Sequence, residues 1–155
     1  MVTQSVVIRI CEERDLEHFD VFGTPQHVDY CREQFARGAG ALTILVAVDE
    51  HDAPVGKLHL DFETRAGMGE AMLIAAGVRP DLRSRGIGTA LMDAAEERVC
   101  SHGFGAIVLG VEDSNPRAHH LYRRLGYEPF ATDDFQYLGA PVPNPGVWMR
   151  KELEC

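Results

Sequence analysis

Residues 78–91 read Val78-Arg79-Pro80-Asp81-Leu82-Arg83-Ser84-Arg85-Gly86-Ile87-Gly88-Thr89-Ala90-Leu91, and this stretch decides the fold. An apolar run ends at Val78, a basic turn with two glycines follows, and an amphipathic pattern starts directly after it. The pattern predicts a buried strand passing through a turn into a helix. Glycines in such a turn let the backbone approach a ligand closely. A helix start adds unpaired amides and a partial positive charge, worth about 0.3–1 kcal/mol to a nearby anion and up to ~2 kcal/mol when partly buried. Arg83 and Arg85 supply formal charge, and together these features suit a pyrophosphate. Two familiar phosphate loops fail here. A P-loop needs a lysine before its Ser/Thr, whereas Gly88 precedes Thr89. A dinucleotide fingerprint needs a small residue where Leu91 stands. The plainer alternative is a structural strand–turn–helix with a solvated basic corner.

Outward from this turn, the helix runs from about residue 86 to residue 102. Ile87, Ala90, Leu91, Ala94, Ala95 and Val99 form its apolar face, and Gly103 stops it. Upstream, residues 5–11 alternate as a first strand, and residues 12–22 predict a short helix. Thr24 caps a second helix, with Pro25 at its first position, and Gly38 ends it. Residues 41–49 are continuously apolar, as in a strand covered on both faces. Residues 55–63 alternate. Val55, Lys57, His59, Asp61 and Glu63 share one face, expected to meet water or, less simply, to line a substrate groove. Residues 70–78 give the fourth strand. Downstream, residues 104–111 form a strand, Asn115-Pro116 opens a helix, and residues 127–135 and 147–153 form a last hairpin. Strands that pair antiparallel early and cross over through helices later predict an α+β fold, with a mixed sheet and helices on both faces. One domain, residues 1–155, accounts for the chain.

Composition narrows the function. The net charge is −9, from 24 acidic and 15 basic residues, which excludes a general nucleic-acid surface because that needs basic groups to displace counterions. No apolar run is long enough to span a bilayer, and no signal segment is visible, so a cytoplasmic protein is expected. Cys11, Cys31, Cys100 and Cys155 are widely spaced and read as free thiols in a reducing compartment. The histidines form no set with cysteine, and no metal is expected.

The hexad Arg83-Ser84-Arg85-Gly86-Ile87-Gly88 resembles the acetyl-CoA signature of the GCN5-related N-acetyltransferase (GNAT) family, an arginine or glutamine followed by xxGxG or xxGxA. The stretch Asn115-Pro116-Arg117-Ala118-His119-His120-Leu121-Tyr122-Arg123-Arg124-Leu125-Gly126-Tyr127 resembles the family's second block. The resemblance covers the whole chain in element order. It implies the GNAT architecture, a largely antiparallel mixed sheet of six to seven strands with about four helices, and acetyl-CoA as cosubstrate. It further implies that the amides from Arg83 through Ser84, Arg85, Gly86, Ile87 and Gly88 to Thr89 hold the pyrophosphate. The backbone at Ala76 and Val78 would pair with the pantetheine arm, and Asn115 would lie beside it, although Asn115 equally reads as a helix cap.

The activity so implied is transfer of an acetyl group to a primary amine by direct attack. An amine with a pKa of about 10.4 must lose a proton first, at a cost of roughly 4–5 kcal/mol at neutral pH. That calls for a general base, for which Glu70 or a route through water are the candidates. A backbone amide near Ala76 or Gly77 would hold the oxyanion. Tyr122 matches the family tyrosine that protonates the departing thiolate, and it also fits an apolar stripe with Ala118 and Leu121. The acceptor site of the family falls here on residues 22–30 and 133–145; the first offers Phe22, His27, Asp29 and Tyr30, and the second Asp133, Asp134, Phe135 and Tyr137. His59 and Asp61 are further candidates. Acid beside aromatic suits a cationic amine, whether a small molecule or a peptide. A homodimer stays open, and so does the alternative that the domain binds acyl-CoA without transferring anything.

Overall fold

The structure is a computed structural model, and it describes residues 5–136 and 142–155; Tyr137 lies outside them. Seven strands form one sheet in the order β1-β2-β3-β4-β5-β7-β6. They are β1 Val7–Ile10, β2 Leu42–Val48, β3 Pro54–Asp61, β4 Glu70–Val78, β5 Ala106–Glu112, β6 Glu128–Phe135 and β7 Asn144–Glu152. All neighbours pair antiparallel except β4 and β5. The helices are α1 Pro25–Ala36, α2 Ile87–Ser101 and α3 Pro116–Arg124, preceded by a 3-10 helix over Glu13–Phe22. This is the mixed sheet with helices on both faces that the element order predicts.

Both faces of the sheet are covered. On β2, Leu45 and Ala47 pack with Leu91, Ala95 and Val99 of α2, while Ile44, Val46 and Val48 pack with Leu16, Phe19 and Cys31 on the other side. Each fully buried aliphatic side chain stabilises the fold by about 1.5–3 kcal/mol, so these two layers carry the sheet. Gly56 admits the first turn of α2. A Cβ there would stand 2.9 Å from Ile87 Cγ2. The cap read at Thr24 is formed, with its hydroxyl accepting from the His27 amide.

The short first helix is 3-10 and is anchored by Asp15, which accepts from the Glu12 amide and ion-pairs with Arg9 at 2.7 Å. Two expectations change. The polar face of β3 does not meet water: Lys57, His59 and Asp61 are 1%, 0% and 5% exposed. The 3-10 helix and α1 lie over that face, and strict alternation cannot reveal a second cover. Finally, the cysteines are not all free. Cys100 and Cys155 are joined in a disulfide, while Cys11 and Cys31 are buried thiols. The partners are 55 residues apart in sequence, so no local spacing announces them. The topology brings them together by running β7 back along β5, where Leu153 donates to the carbonyl of Gly105. Among the described residues, no helix is long and apolar enough to cross a membrane.

Candidate active site

β4 and β5 pair only from Glu70 with Ala106 to Leu73 with Leu109. Beyond Leu73 the two strands part, because β5 continues along β7 while β4 keeps to β3. The parting opens a cleft of about 860 Å³, within the usual range for a small-molecule site. Its walls are the end of β4, the turn before α2 and the inner side of α3.

On β4 a bulge forms just past the split. Lys57 faces Gly77 and His59 faces Ile74, so Ala75 and Ala76 together oppose Leu58. Ala75 has a left-handed φ of 54°, and Ala76 is exposed. With β5 gone, the outer edge of β4 at Ala76, Gly77 and Val78 has no strand beside it and can accept an extended ligand as an added strand.

The turn before α2 carries the glycine signature. Ser84 and Gly86 adopt φ of 63° and 84°, and Gly86 is the helix N-cap. Ala90 makes the first hydrogen bond of the helix, to the Gly86 carbonyl. The amides from Ser84 to Thr89 donate no backbone hydrogen bond among the described residues. Arg83 and Arg85 form no ion pair among them either, so their charge is uncommitted. Free donors, a helix dipole and two cations at one end of a cleft could hold a diphosphate. The group fits. Gly88 lies against α3, where an added Cβ would be 3.3 Å from Leu121 Cδ2, so bulk there would narrow the cleft.

Across the cleft, Asn115 caps α3 by accepting from the Ala118 amide at 3.1 Å, so its oxygen is already used. Tyr122 is 8% exposed and lines the cleft, with its ring edge-on to Tyr127 at 5.9 Å. Arg117 and Arg124 reach the same wall.

The remaining candidates fall elsewhere. Glu70 begins β4, six residues before Ala76 and hence roughly 20 Å away along the strand. Its carboxylate is gripped by Arg150 at 2.6 Å and Arg65 at 2.8 Å, and these guanidinium groups hold it below the usual range against the opposing effect of burial. Asp61 accepts from the amides of Glu63 and Thr64 and from the Thr64 hydroxyl, which fixes the turn after β3. His59 is enclosed beneath Tyr30, whose ring stacks on it at 6.1 Å. Phe22 approaches the cleft wall, since a Cβ on Gly77 would lie 3.7 Å from its ring. Sequence reasoning set Lys57 on the polar face of β3 without giving it a role, because alternation alone does not show that this face is covered.

Burial makes two histidines pH-sensitive. Desolvation pushes His27 down to about 4 and His59 well below its ordinary value, and the Lys57 charge adds to both. Folded, both rings are neutral; unfolded, they take protons below about pH 6.5. The unfolded chain therefore binds more protons as pH falls, and stability present above pH 6.5 is lost towards pH 4. Thermal unfolding should show a midpoint about 5 °C lower at pH 5 than at pH 7, and His27→Gln should flatten that dependence. An unchanged slope in the variant would contradict this account.

Comparison with known proteins agrees with the geometry. Residues 7–127 match the family model described as "Acetyltransferase (GNAT) family". The mycothiol acetyltransferase of Rhodococcus opacus (strain B4) is 39% identical over 77 residues, covering 50% of this chain and 25% of that protein. The mycothiol acetyltransferase of Saccharopolyspora erythraea is 34% identical over 106 residues, covering 66% and 32%. The chain thus spans about a quarter to a third of these relatives. Among solved structures, the ribosomal-protein-S18-alanine N-acetyltransferase of Escherichia coli superimposes with a TM-score of 0.79 at 17% identity, covering 97% of this chain and 96% of that one. The spermidine/spermine N-acetyltransferase SpeG of Vibrio cholerae gives 0.77 at 18%, covering 95% and 92%. With the signature turn, the split sheet and this match in agreement, the chain belongs to the GNAT acetyltransferase family.

Proposed function

We propose that the protein moves an acetyl group from acetyl-CoA to a primary amine by direct attack within the β4–β5 cleft. One observation carries this reading. The uncommitted amides from Ser84 to Thr89 lie at one end of a cleft whose walls include the β4 bulge and Tyr122. The turn and its two arginines bind the diphosphate. The open edge of β4 at Ala76 and Val78 aligns the pantetheine arm. The amide at Ala76 receives charge developing on the acyl oxygen, and the Tyr122 phenol returns a proton to the departing sulfur. Glu70 is committed to its two arginines far from these groups, so the proton of the attacking amine leaves through solvent water.

The acceptor is a small-molecule or peptide amine. The relatives named above are mycothiol acetyltransferases, and the structural neighbours acetylate the alanine of a ribosomal protein or spermidine and spermine; Phe22 and Tyr30 are the residues we expect to meet the acceptor here. Release of free CoA across a panel of amines, with mass spectrometry locating the added group, tests the function. Transfer to at least one amine is expected. Tight acetyl-CoA binding with no transfer to any amine would favour the non-catalytic binding domain instead. Glu70→Gln should retain at least half of the wild-type turnover with the best amine. A loss of more than tenfold, with folding intact, would return the base to Glu70.

A further inference from the structure

The most enclosed cation among the described residues stands directly behind the bulge. Lys57 lies mid-strand in β3 and is 1% exposed. The rings of Phe19 and Phe22 flank its ammonium at 5.8 and 5.9 Å. An enclosed charge opposes folding unless it is hydrogen-bonded, and a methionine or leucine would fill such a place more simply. What the ammonium touches gives the reason for it. Nζ donates to the Ala75 carbonyl at 2.6 Å and to His59 Nε2 at 3.2 Å. His59 is held in turn by its stack on Tyr30, and Cys31 Sγ approaches the same nitrogen at 3.8 Å.

The carbonyl that Lys57 grips belongs to the residue with the left-handed φ, and left-handed backbone is unfavourable for alanine unless its surroundings impose it. A short, charge-assisted hydrogen bond is a constraint of the needed strength. The residues that follow, Ala76 and Gly77, line the cleft. Burial lowers the Lys57 amine to about 8, which still leaves it mainly charged at neutral pH.

We propose that Lys57 is a positioning residue for acyl transfer: by holding the Ala75 carbonyl it fixes the β4 bulge and aims the Ala76 amide at the acyl oxygen. The assignment rests on the acyl-transfer reading of the cleft. Lys57 and Leu58 of β3 border the cleft themselves, and Lys57 acts there on the backbone of β4 and not as a reacting group.

The test uses acetyl-CoA labelled with ¹³C at the thioester carbonyl. Hydrogen bonding to the oxygen moves that resonance downfield when the wild-type protein binds it. Lys57→Met should bind acetyl-CoA within threefold of wild-type affinity yet leave the resonance near its position in free acetyl-CoA. With the best amine of the panel, kcat should fall at least tenfold while KM for acetyl-CoA stays within threefold. Should Lys57→Met not fold, Lys57→Gln, polar but shorter by one bond, is measured instead with the same expectations. A folded variant that keeps the downfield shift and wild-type kcat overturns the assignment. Wild-type binding without any carbonyl shift also overturns it and leaves the acyl-transfer reading standing. Wild-type protein that fails to bind acetyl-CoA overturns the acyl-transfer reading itself.

Discussion

Gly86→Glu should weaken acetyl-CoA binding by more than 100-fold while leaving the folded structure in place. Two effects follow. Gly86 holds a φ of 84°, where a side chain costs about 1–2 kcal/mol. The new carboxylate would also stand among the amides proposed to receive the diphosphate, replacing attraction with like-charge repulsion. The strain falls on free and bound protein alike, so the roughly 2.7 kcal/mol that a 100-fold loss represents comes from the carboxylate, which blocks the amides and repels the phosphates. Calorimetric titration with acetyl-CoA measures the affinity, and circular dichroism checks the fold. Unchanged affinity would remove the diphosphate from this turn.

Tyr122→Phe should lower kcat about 100-fold and change KM for acetyl-CoA less than threefold. Phenylalanine keeps the ring, its edge-on packing against Tyr127 and its near-complete burial, so structure is conserved. Only the hydroxyl is lost. A phenol near pKa 10 and a thiol near 8.5 are close enough for a proton to pass to the sulfur, and general acids of this kind contribute about 10²–10⁴ in rate. A smaller fall in turnover with a large rise in KM would make Tyr122 a packing and binding residue.

Much of this architecture is written locally. Thr24-Pro25 and Asn115-Pro116 announce their helices because a cap and a first-turn proline act within four residues. Residues 78–91 announce the turn and α2 for the same reason. The bulge at Ala75 was not legible, because it depends on how β4 registers against β3 rather than on any turn residue of its own. The polar face of β3 misled, since period-two alternation tells apart two faces but not whether each is covered. Lys57 and His59 are enclosed by groups brought in by tertiary structure, with His59 Nδ1 left without a hydrogen-bond partner among the described residues, whereas Asp61 is held by the turn that follows it. Glu70 shows the same limit. Its place at the head of β4 is clear from sequence, whereas its two arginine partners come from residues 65 and 150.

The bridge between Cys100 and Cys155 bears on how turnover is best recorded. Colorimetric reagents for released coenzyme A report any reachable sulfhydryl. In the oxidised chain the two remaining cysteines are sealed inside the core, at 5% and 0% exposure. The native enzyme is therefore silent towards such reagents, and every equivalent of colour comes from product. A preparation kept in reductant would contribute a background of its own, and would set loose the chain end now tied to α2.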